Sequence, residues 1–338
     1  LMELHRDFGR FTGESVNRFL ENTDKKVDFI AAHGHTVFHQ PEQGLTLQIG
    51  DGAEIAAVTG ISSVSDFRRL DVALGGQGAP LVPAGDELLF GNYNYCLNLG
   101  GFANISFRES GQRLAFDVCP VNIVINRLAQ NIGQSFDKDG KIAEKGKLNP
   151  GLLKTLENLD FYKLTGPRSL GKEWVDEVFI PPLDESGCNT ADKLRTVYEH
   201  IARRIAAVIL KPSIHGQVID ESFPGKTYSA TENRSSRTDM AKNKNIYREQ
   251  EEFIETGHGH PGSLLITGGG AKNGFLTKLI SEKTAPVYMV IPEEELVNFK
   301  EAVVFAFLGL LRMRNEANCL SSVTGARHNN SGGIIHNA

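Results

Sequence analysis

The sequence contains 338 residues, and its 36 Lys and Arg against 41 Asp and Glu give a formal net charge of −5. With 40 % hydrophobic and 23 % charged residues, it has the profile of a globular protein rather than a disordered or fibrous one. The acidic balance argues against nucleic-acid and anionic-membrane partners, since both require clustered positive charge, and favours a small-molecule ligand.

Cysteine usage and the first residues bear on the compartment. The four cysteines are scattered without a C-x-x-C pair, which predicts reduced, mostly buried thiols rather than a disulfide scaffold or a zinc cage. The charged start LMELHRDFGRF is unlike a signal peptide, and no run of 18 apolar residues occurs. We therefore expect a cytoplasmic protein. A length equal to about two domains also predicts a cleft between them.

Short β-branched runs that end in Gly, Asp or Asn predict strands along the whole chain. Helical patterns lie between these runs, which predicts an α/β protein with largely covered sheets. The predicted strands are residues 27–33, 62–67, 95–99, 113–117, 264–267 and 287–291.

The first chemically active side chains follow the first predicted strand. His33, His35 and His39 occur in the string HGHTVFH, and alternate strand residues share a face, so a metal site is one interpretation. Because no Cys or assured carboxylate accompanies them, we favour hydrogen-bonded or substrate-contacting histidines.

Two adjacent arginines come next. Arg68 and Arg69 lie between Asp66 and Asp71, and the glycine-rich loop 75–78 follows. Charges of this kind usually form a surface ion-pair patch. Beside a glycine loop, an arginine can equally bind a carboxylate through two parallel hydrogen bonds. The sequence leaves both interpretations open.

The string LNLGGFANISF, residues 97–107, predicts a β-hairpin with Gly100 and Gly101 at its tip. The strand RLAFD follows and places Asp117 at the carboxyl end of a neighbouring strand, where ligand-facing residues of open α/β sheets lie. Asp117 can act there as a general base, or it can cap a turn that begins at Val118. Spacing alone favours the turn cap.

The string TADKLRTVYEHIARRIAAVIL predicts an amphipathic helix with Thr190 as its N-cap. From Lys211 to Gly262 the sequence becomes dense in charge, Ser, Thr, Asn and Gly, which predicts a long polar surface insertion. His258 and His260 lie in this insertion, and a loop explains them most simply. Further on, residues 301–314 predict a helix that is buried on several sides.

A triple glycine follows the predicted strand 264–267. Gly268, Gly269 and Gly270 precede a helical pattern, and such a turn allows backbone N–H groups to approach an anion or a nucleotide closely. A tight strand-to-helix turn is an equally good interpretation of these glycines alone. Their spacing is not the G-x-G-x-x-G of dinucleotide folds, which disfavours a dehydrogenase.

Eight strings between about Val27 and Leu320 resemble the 1,6-anhydro-N-acetylmuramic acid kinases of bacterial cell-wall recycling. They are AAHGHTVFH, LQIGDGAEIAAVTGI, SDFRRLDVALGGQGAPLVPAGDELLF, LNLGGFANIS, AFDVCPVNIVIN, FDKDGKIAEKGKLN, LLITGGGAKN and FKEAVVFAFLG. The resemblance implies a two-domain actin/hexokinase-like (ribonuclease H-like) fold with an inter-domain ATP cleft. Domain I would be residues 1–92 plus 315–338, and domain II would be residues 93–314 with the polar insertion 211–262.

The resemblance also implies roles for individual residues. The family's catalytic aspartate corresponds to Asp117. Substrate contacts correspond to Thr36, Arg69 and Glu301, with His33 and Gln77 as neighbours. The nucleotide contacts correspond to Asn98, Gly100, Gly101, Gly268, Gly269, Gly270 and Asn273.

The implied reaction has two parts. Water attacks the anomeric carbon and opens the 1,6-anhydro bond, and the released O6 takes the γ-phosphoryl group of ATP, with Mg²⁺ neutralising phosphate charge. The products would be N-acetylmuramic acid 6-phosphate and ADP. The partners would be the anhydro-sugar and ATP, without nucleic acid or membrane. Exposed sheet edges and the family's habit lead us to expect a homodimer.

The sequence departs from the family pattern in two places. A strand with a Gly-Thr-Ser-x-Asp-Gly turn forms the family's first phosphate-binding hairpin, and no such string precedes Val27, so no metal ligand is assigned. The Gly-Pro-Gly-Asn usual after the catalytic aspartate is Cys119-Pro120-Val121-Asn122, and a later aspartate is Asn126. These departures leave an alternative function, a catalytically silent nucleotide- or sugar-binding protein of the same fold.

Overall fold

The computed structural model describes residues 1–164, 168–210 and 262–338. Apart from Gly262, the predicted polar insertion with His258 and His260 lies outside the described residues. The strands are β1 (Ile30–Ala31), β2 (His35–Gln40), β3 (Leu45–Ile49), β4 (Ser63–Ser65), β5 (Tyr95–Leu99), β6 (Phe102–Glu109), β7 (Gln112–Pro120), β8 (Ser263–Thr267), β9 (Tyr288–Val290) and β10 (Ile334–His336).

Helices separate most of these strands, so the predicted α/β class is confirmed. The α-helices are α1 (Met2–Leu20), α2 (Gly52–Thr59), α3 (Arg69–Ala73), α4 (Val82–Leu89), α5 (Asn122–Gln130), α6 (Lys141–Lys145), α7 (Pro150–Glu157), α8 (Lys172–Trp174), α9 (Ile180–Glu185), α10 (Thr190–Ile209), α11 (Gly274–Thr284), α12 (Glu294–Met313) and α13 (Ser321–Thr324).

The larger sheet has five strands in the order β7-β6-β5-β8-β9. The first three strands form an antiparallel meander, whereas β8 and β9 run parallel to β5. The helices α5, α10 and α11 contribute their apolar faces to one large core against this sheet, since a 3.6-residue period brings such side chains to one side of a helix. Members of this core include Leu97, Leu99, Ile105, Leu128, Leu194, Ile201 and Ile280.

The smaller sheet has three strands in the order β1-β4-β10, and β2 and β3 form a separate antiparallel ribbon. A second core lies against the smaller sheet, and α12 supplies much of it through Val304, Phe305 and Leu308. A Cβ atom at Gly309 would lie 2.8 Å from the Cβ of Ala31, so the glycine allows α12 to approach β1 closely.

Most sequence-based expectations about elements are confirmed, and two boundaries are corrected. All six predicted strands are present, although the first is only Ile30–Ala31. The N-cap of α10 is Asn189 rather than Thr190, because the Asn189 side chain accepts a hydrogen bond from the backbone of Asp192 at 2.9 Å. The helix predicted over 301–314 begins seven residues earlier, at Glu294. The domain boundaries stay a prediction.

All four cysteines lie within the described ranges. All four cysteines are free thiols, and Cys96, Cys119 and Cys319 are buried, as predicted. None of the helices in these ranges is long and apolar enough to cross a bilayer.

Candidate active site

Four polar residues lie side by side across the five-stranded sheet, one on each of four neighbouring strands. Thr267 pairs with Asn98, Asn98 with Asn104, and Asn104 with Asp117. Residues in register share a face of the sheet, and strands lie about 4.8 Å apart, so this polar row spans about 14 Å. Sequence analysis missed Asn104 and Thr267, because strand register is not visible before the pairing is known.

The two glycine turns begin where the polar row ends, and they are packed against each other. Gly268 has a φ of +82°, and a Cβ atom there would lie 2.6 Å from Oδ1 of Asn98. A Cβ atom at Gly270 would lie 2.7 Å from the Cβ of Leu99. Only glycine fits at both positions, and the structure thus brings the two predicted nucleotide motifs together.

The outer sides of both turns are open. Among the described residues, a Cβ atom at Gly269 would meet only the Asn122 amide nitrogen, at 3.9 Å, and one at Gly101 would meet only the Cβ of Ile123, at 4.0 Å. The start of α5 is fixed to the hairpin, since the Val121 N–H donates to the Gly101 carbonyl at 2.8 Å. The backbone of the turns is therefore accessible and rigidly held, as close approach of a phosphate requires.

Asn273 is the N-cap of α11, and its side-chain hydrogen bonds stay inside the protein. Its Oδ1 accepts from the backbone of Leu276 at 3.0 Å, and its Nδ2 donates to the Tyr198 hydroxyl at 2.8 Å. Next to it, the Gly274 N–H donates to Oδ1 of Asp139 at 2.7 Å. Asn273 thus fixes the end of the triple-glycine turn relative to α10.

Asp117 lies within β7, and this strand continues to Pro120. The sequence-favoured interpretation of Asp117 as a turn cap at Val118 is therefore wrong. Pairing of Ala103 with Cys119, after a bulge, extends the strand beyond the position where the sequence suggested a turn. The Asp117 carboxylate Oδ2 accepts a hydrogen bond from the Leu170 N–H at 2.8 Å.

Opposing influences act on the pKa of the Asp117 carboxyl. Burial raises the pKa of the Asp117 carboxyl above its usual range, whereas the Leu170 N–H and the Arg168 guanidinium act in the opposite direction. A half-buried carboxylate with a raised pKa is suited to accept a proton, since general bases work best when their pKa lies near the working pH.

A second cluster surrounds the smaller core. His33 and Arg68 are hydrogen-bonded, with Nη2 of Arg68 lying 2.7 Å from Nε2 of His33. Burial and the positive charge of Arg68 lower the pKa of His33, so the neutral imidazole accepts this bond. Glu301 interacts electrostatically with both groups. His33 is hydrogen-bonded, as the sequence favoured.

Asp71 is a fully buried carboxylate with four hydrogen-bond donors. Its Oδ2 accepts from the Gly78 N–H at 2.8 Å. Its Oδ1 accepts from Cys319, Thr324 and Asn330 at 3.0, 2.9 and 2.8 Å. The surface ion-pair interpretation is therefore wrong for Asp71, which instead ties the loop 75–78 to the C-terminal segment.

Arg68 also holds the glycine loop 75–78. Its Nη1 donates to the Gly78 carbonyl at 2.7 Å, so Arg68 is a partly buried link between His33 and the glycine loop rather than a surface charge. Gln77, in the same loop, donates its backbone N–H to Thr324 at 2.8 Å. Sequence analysis missed the roles of Arg68 and Asp71, because their partners lie far away along the chain.

The remaining predicted substrate residues are exposed on elements around the smaller core. Thr36 lies on β2 and accepts a hydrogen bond from Gln48 at 3.3 Å. Arg69 is the first residue of α3, Gln77 lies in the glycine loop, and Glu301 lies on α12.

A cavity of about 490 Å³ lies beside α5, and none of the predicted site residues lines it. Its lining is Ile123, Arg127, Gln130, Lys172, Val175 and Asp176, of which Arg127 and Asp176 form an ion pair. In the part of the chain that the structure describes, no group of three or more His, Cys, Asp or Glu side chains is placed to hold a metal ion.

Comparison with known proteins identifies similar sequences along nearly the whole chain. The family model described as anhydro-N-acetylmuramic acid kinase matches residues 1–217 and 250–338. Curated proteins named anhydro-N-acetylmuramic acid kinase are similar as well. The one from Haemophilus influenzae is 31 % identical over 99 % of this chain and 82 % of its own length. The one from Shewanella denitrificans is 33 % identical over 96 % and 80 %.

Several solved structures are similar. One of them is the activator of 2-hydroxyisocaproyl-CoA dehydratase from Clostridium difficile with bound ADPNP, which is 10 % identical and has a TM-score of 0.33 over 75 % of this chain and 81 % of its own. A TM-score this low supports no inference about fold or ligand.

Proposed function

Because the chain belongs to the anhydro-N-acetylmuramic acid kinase family, we propose that it is an ATP-dependent kinase of this anhydro-sugar. It would open the 1,6-anhydro ring by hydrolysis and phosphorylate O6, giving N-acetylmuramic acid 6-phosphate and ADP. The observation that carries the proposal is the position of Asp117 in the polar row beside two joined glycine turns.

Asp117 would act as the general base. It takes one proton of a water molecule while the water oxygen forms a bond to the anomeric carbon. The bond between that carbon and O6 breaks, and its electron pair stays on O6. O6 then attacks the γ-phosphorus, the bond to the β-phosphate oxygen breaks, and ADP leaves with that electron pair. The proton on Asp117 passes to solvent.

The nucleotide would lie against the two glycine turns. The open sides of Gly101 and Gly269 would allow phosphate oxygens to approach the backbone, while Gly268 and Gly270 hold the turns together. The other predicted contacts, Asn98, Gly100 and Asn273, stay proposals of the same kind. Phosphoryl transfer depends mainly on positioning and electrostatics, which such a rigid cradle can supply.

We propose that Mg²⁺ accompanies the triphosphate. The amide oxygen of Asn98 lies beside the triple-glycine turn, and Mg²⁺ prefers oxygen ligands, so this residue fits the ion. When bound, Mg²⁺ would neutralise negative charge on the phosphates. Asn98 is the residue that would orient its bound water or the phosphates.

The sugar would be bound by the cluster around the smaller core. Arg69 would contact the lactyl carboxylate, and Thr36 and Glu301 would contact the sugar, with His33 and Gln77 beside them. Arg68 and the Asp71 carboxylate support this proposal, because they hold the loop that carries Gln77 and the start of α3. The exposed position of Arg69 leaves its guanidinium accessible to a ligand.

The larger arrangement stays a proposal as well. Two separate cores support the two-domain actin/hexokinase-like fold with ATP between the domains, divided at residues 92–93 and 314–315. We further propose a cytoplasmic homodimer. Sedimentation of the purified chain tests the dimer, and a monomer at all concentrations would contradict it.

The proposed activity is tested by supplying ATP, Mg²⁺ and 1,6-anhydro-N-acetylmuramic acid to the full chain in ¹⁸O-labelled water. We expect a sugar product that has gained one water and one phosphoryl group, in equal amount to ADP. The label should enter the sugar and not the phosphoryl group. Calorimetric binding of both ligands without any product would instead favour the catalytically silent alternative.

A further inference from the structure

The segment from Arg168 to Leu170 runs beside β7 and is hydrogen-bonded to a single residue of it, Asp117. The Asp117 N–H donates to the Arg168 carbonyl at 2.9 Å, and Nε of Arg168 donates back to the Asp117 carbonyl at 3.2 Å. The Leu170 N–H donates to the carboxylate Oδ2 at 2.8 Å. The backbone and the side chain of Asp117 are thus held by the same three-residue segment.

Arg168 is itself firmly anchored. Its Nη1 donates to the Leu164 carbonyl at 2.8 Å. Its guanidinium carbon lies 4.8 Å from the ring centre of Phe116 and 5.1 Å from that of Phe161. A guanidinium between two aromatic rings and two carbonyls has little freedom to move, so the segment that it belongs to has a fixed position.

The two carboxylate oxygens of Asp117 therefore differ. Oδ2 receives the Leu170 N–H, whereas within the described residues no hydrogen bond reaches Oδ1. The charged and titratable neighbours are also unequal. Arg168 is the cation that acts on the pKa of Asp117, and Cys119 follows on the same strand. Arg204 of α10 and Tyr162 in turn act on the pKa of Arg168.

We propose that the Arg168–Leu170 segment is a positioning element for the general base, and that it leaves Oδ1 of Asp117 as the atom that takes the proton from the attacking water. This inference rests on the proposed kinase function. A base with one oxygen fixed presents the other in a constant direction, which proton transfer requires. The Leu170 N–H bond and the positive charge of Arg168 both favour the charged carboxylate, so loss of either raises the pKa of Asp117 and moves the acid limb of the activity to higher pH.

The test measures kcat, KM for the sugar and the pH profile of kcat/KM in two pairs of variants. Arg168→Met removes the cation and its hydrogen bonds, whereas Arg168→Lys retains the charge. Leu170→Pro removes the donating N–H, whereas Leu170→Ala retains it. Arg204→Met is the matched control, because Arg204 also stacks on an aromatic ring of this region, that of Tyr162 at 4.1 Å, but makes no hydrogen bond to Asp117.

We expect Arg168→Met and Leu170→Pro to move the acid limb upward, so that kcat/KM just below the original limb falls about tenfold while KM changes little. Arg168→Lys should restore most of the original limb, and Leu170→Ala and Arg204→Met should leave it in place. If Leu170→Pro fails to fold, the Arg168 pair still decides.

The inference fails if Arg168→Met and Leu170→Pro lose only stability and keep the original pH profile and kcat, provided that Asp117→Asn is inactive. If Asp117→Asn keeps its turnover, the proposed function of Asp117 fails first. The two failures are therefore distinguishable.

Discussion

Two regions of the molecule are held rigid by different means. One is the edge of the five-stranded sheet that carries the polar row, and the other is the set of elements around the smaller core. At the sheet, strand register aligns Asp117 with three other polar residues, and two glycines allow the turns to pack directly on each other. At the smaller core, Thr36, Arg69, Gln77 and Glu301 are exposed, and a buried carboxylate with four donors holds the loop that carries Gln77. The first region is fixed by backbone geometry and the second by a buried polar group.

This difference teaches where each region is vulnerable. A backbone arrangement tolerates polar substitutions but not added volume, because its close contacts involve main-chain atoms. A buried carboxylate tolerates no loss of an acceptor, because each unsatisfied donor then carries its full desolvation penalty. The predictions below separate these two kinds of sensitivity.

The largest effect on stability is expected for Asp71→Asn. In the variant, an amide NH₂ group replaces one carboxylate oxygen and faces hydrogen-bond donors, which lose their acceptor. The free energy of unfolding should therefore fall by about 3 kcal/mol. KM for the sugar should rise severalfold with ATP affinity unchanged, since the loop with Gln77 loosens. Urea denaturation and steady-state kinetics measure both, with the exposed Asp24→Asn as control. A variant with native stability would contradict the role of Asp71.

The next effect distinguishes two neighbouring glycines. Gly270→Ala places a methyl group 2.7 Å from the Leu99 Cβ, so it should lower the free energy of unfolding by about 2 kcal/mol as well as ATP affinity. Gly269→Ala has no such contact and should lower ATP affinity alone, because its methyl group points into the space proposed for the nucleotide. Denaturation and ATP titration separate the two. Unchanged ATP affinity in Gly269→Ala would remove that glycine from the binding site.

Per pH unit, a smaller effect is expected from the titration of His200. Burial lowers the pKa of His200 to about 3. As the pH falls, the unfolded chain therefore binds a proton at this histidine at a higher pH than the folded chain does. Its contribution to stability is therefore lost as pH falls from about 6.5 towards 3, at about 1.4 kcal/mol per pH unit. His200→Gln retains a partner for the Tyr162 hydroxyl, which lies 2.8 Å from the ring. Its unfolding free energy should fall less steeply with acid than that of the native chain; equal slopes would refute this prediction.

The smallest effect is expected for Thr267→Val in the polar row. Thr267 is completely buried, and its hydroxyl has no hydrogen-bond partner within the described ranges. A methyl group of the same shape removes this unsatisfied hydroxyl, so the free energy of unfolding should change by less than about 1 kcal/mol. A large loss of turnover without a loss of stability would instead give the hydroxyl a role in catalysis.

The sequence predicted those parts of the fold that depend on neighbouring residues. The hairpin at Gly100 and Gly101, the strand before Gly268 and the amphipathic face of α10 all have local signals, and all are present. The N-cap of α10 was misplaced by one residue, because Asn189 and Thr190 are both good capping residues and only the backbone shows which one lies outside the helix.

The site itself depended more on contacts distant in sequence. The Asp71 carboxylate meets donors about 250 residues away, and the Leu170 N–H meets Asp117 across 53 residues. No spacing rule reveals such pairs, so the sequence left a surface patch open for Asp71 and favoured a turn cap for Asp117. Family resemblance, rather than pattern, selected Asp117 as the base, and the strand register then placed it beside Asn104, which pairs in turn with Asn98.

Turnover of Asp117→Asn tests the central claim most directly. Asparagine has nearly the same shape but cannot take a proton from water, so we expect kcat to fall at least about a thousandfold, while calorimetry finds nearly native affinities for ATP and the anhydro-sugar. Retention of more than about a tenth of the native kcat by a pure, folded sample would contradict the account, because the proton would then have to pass to another group.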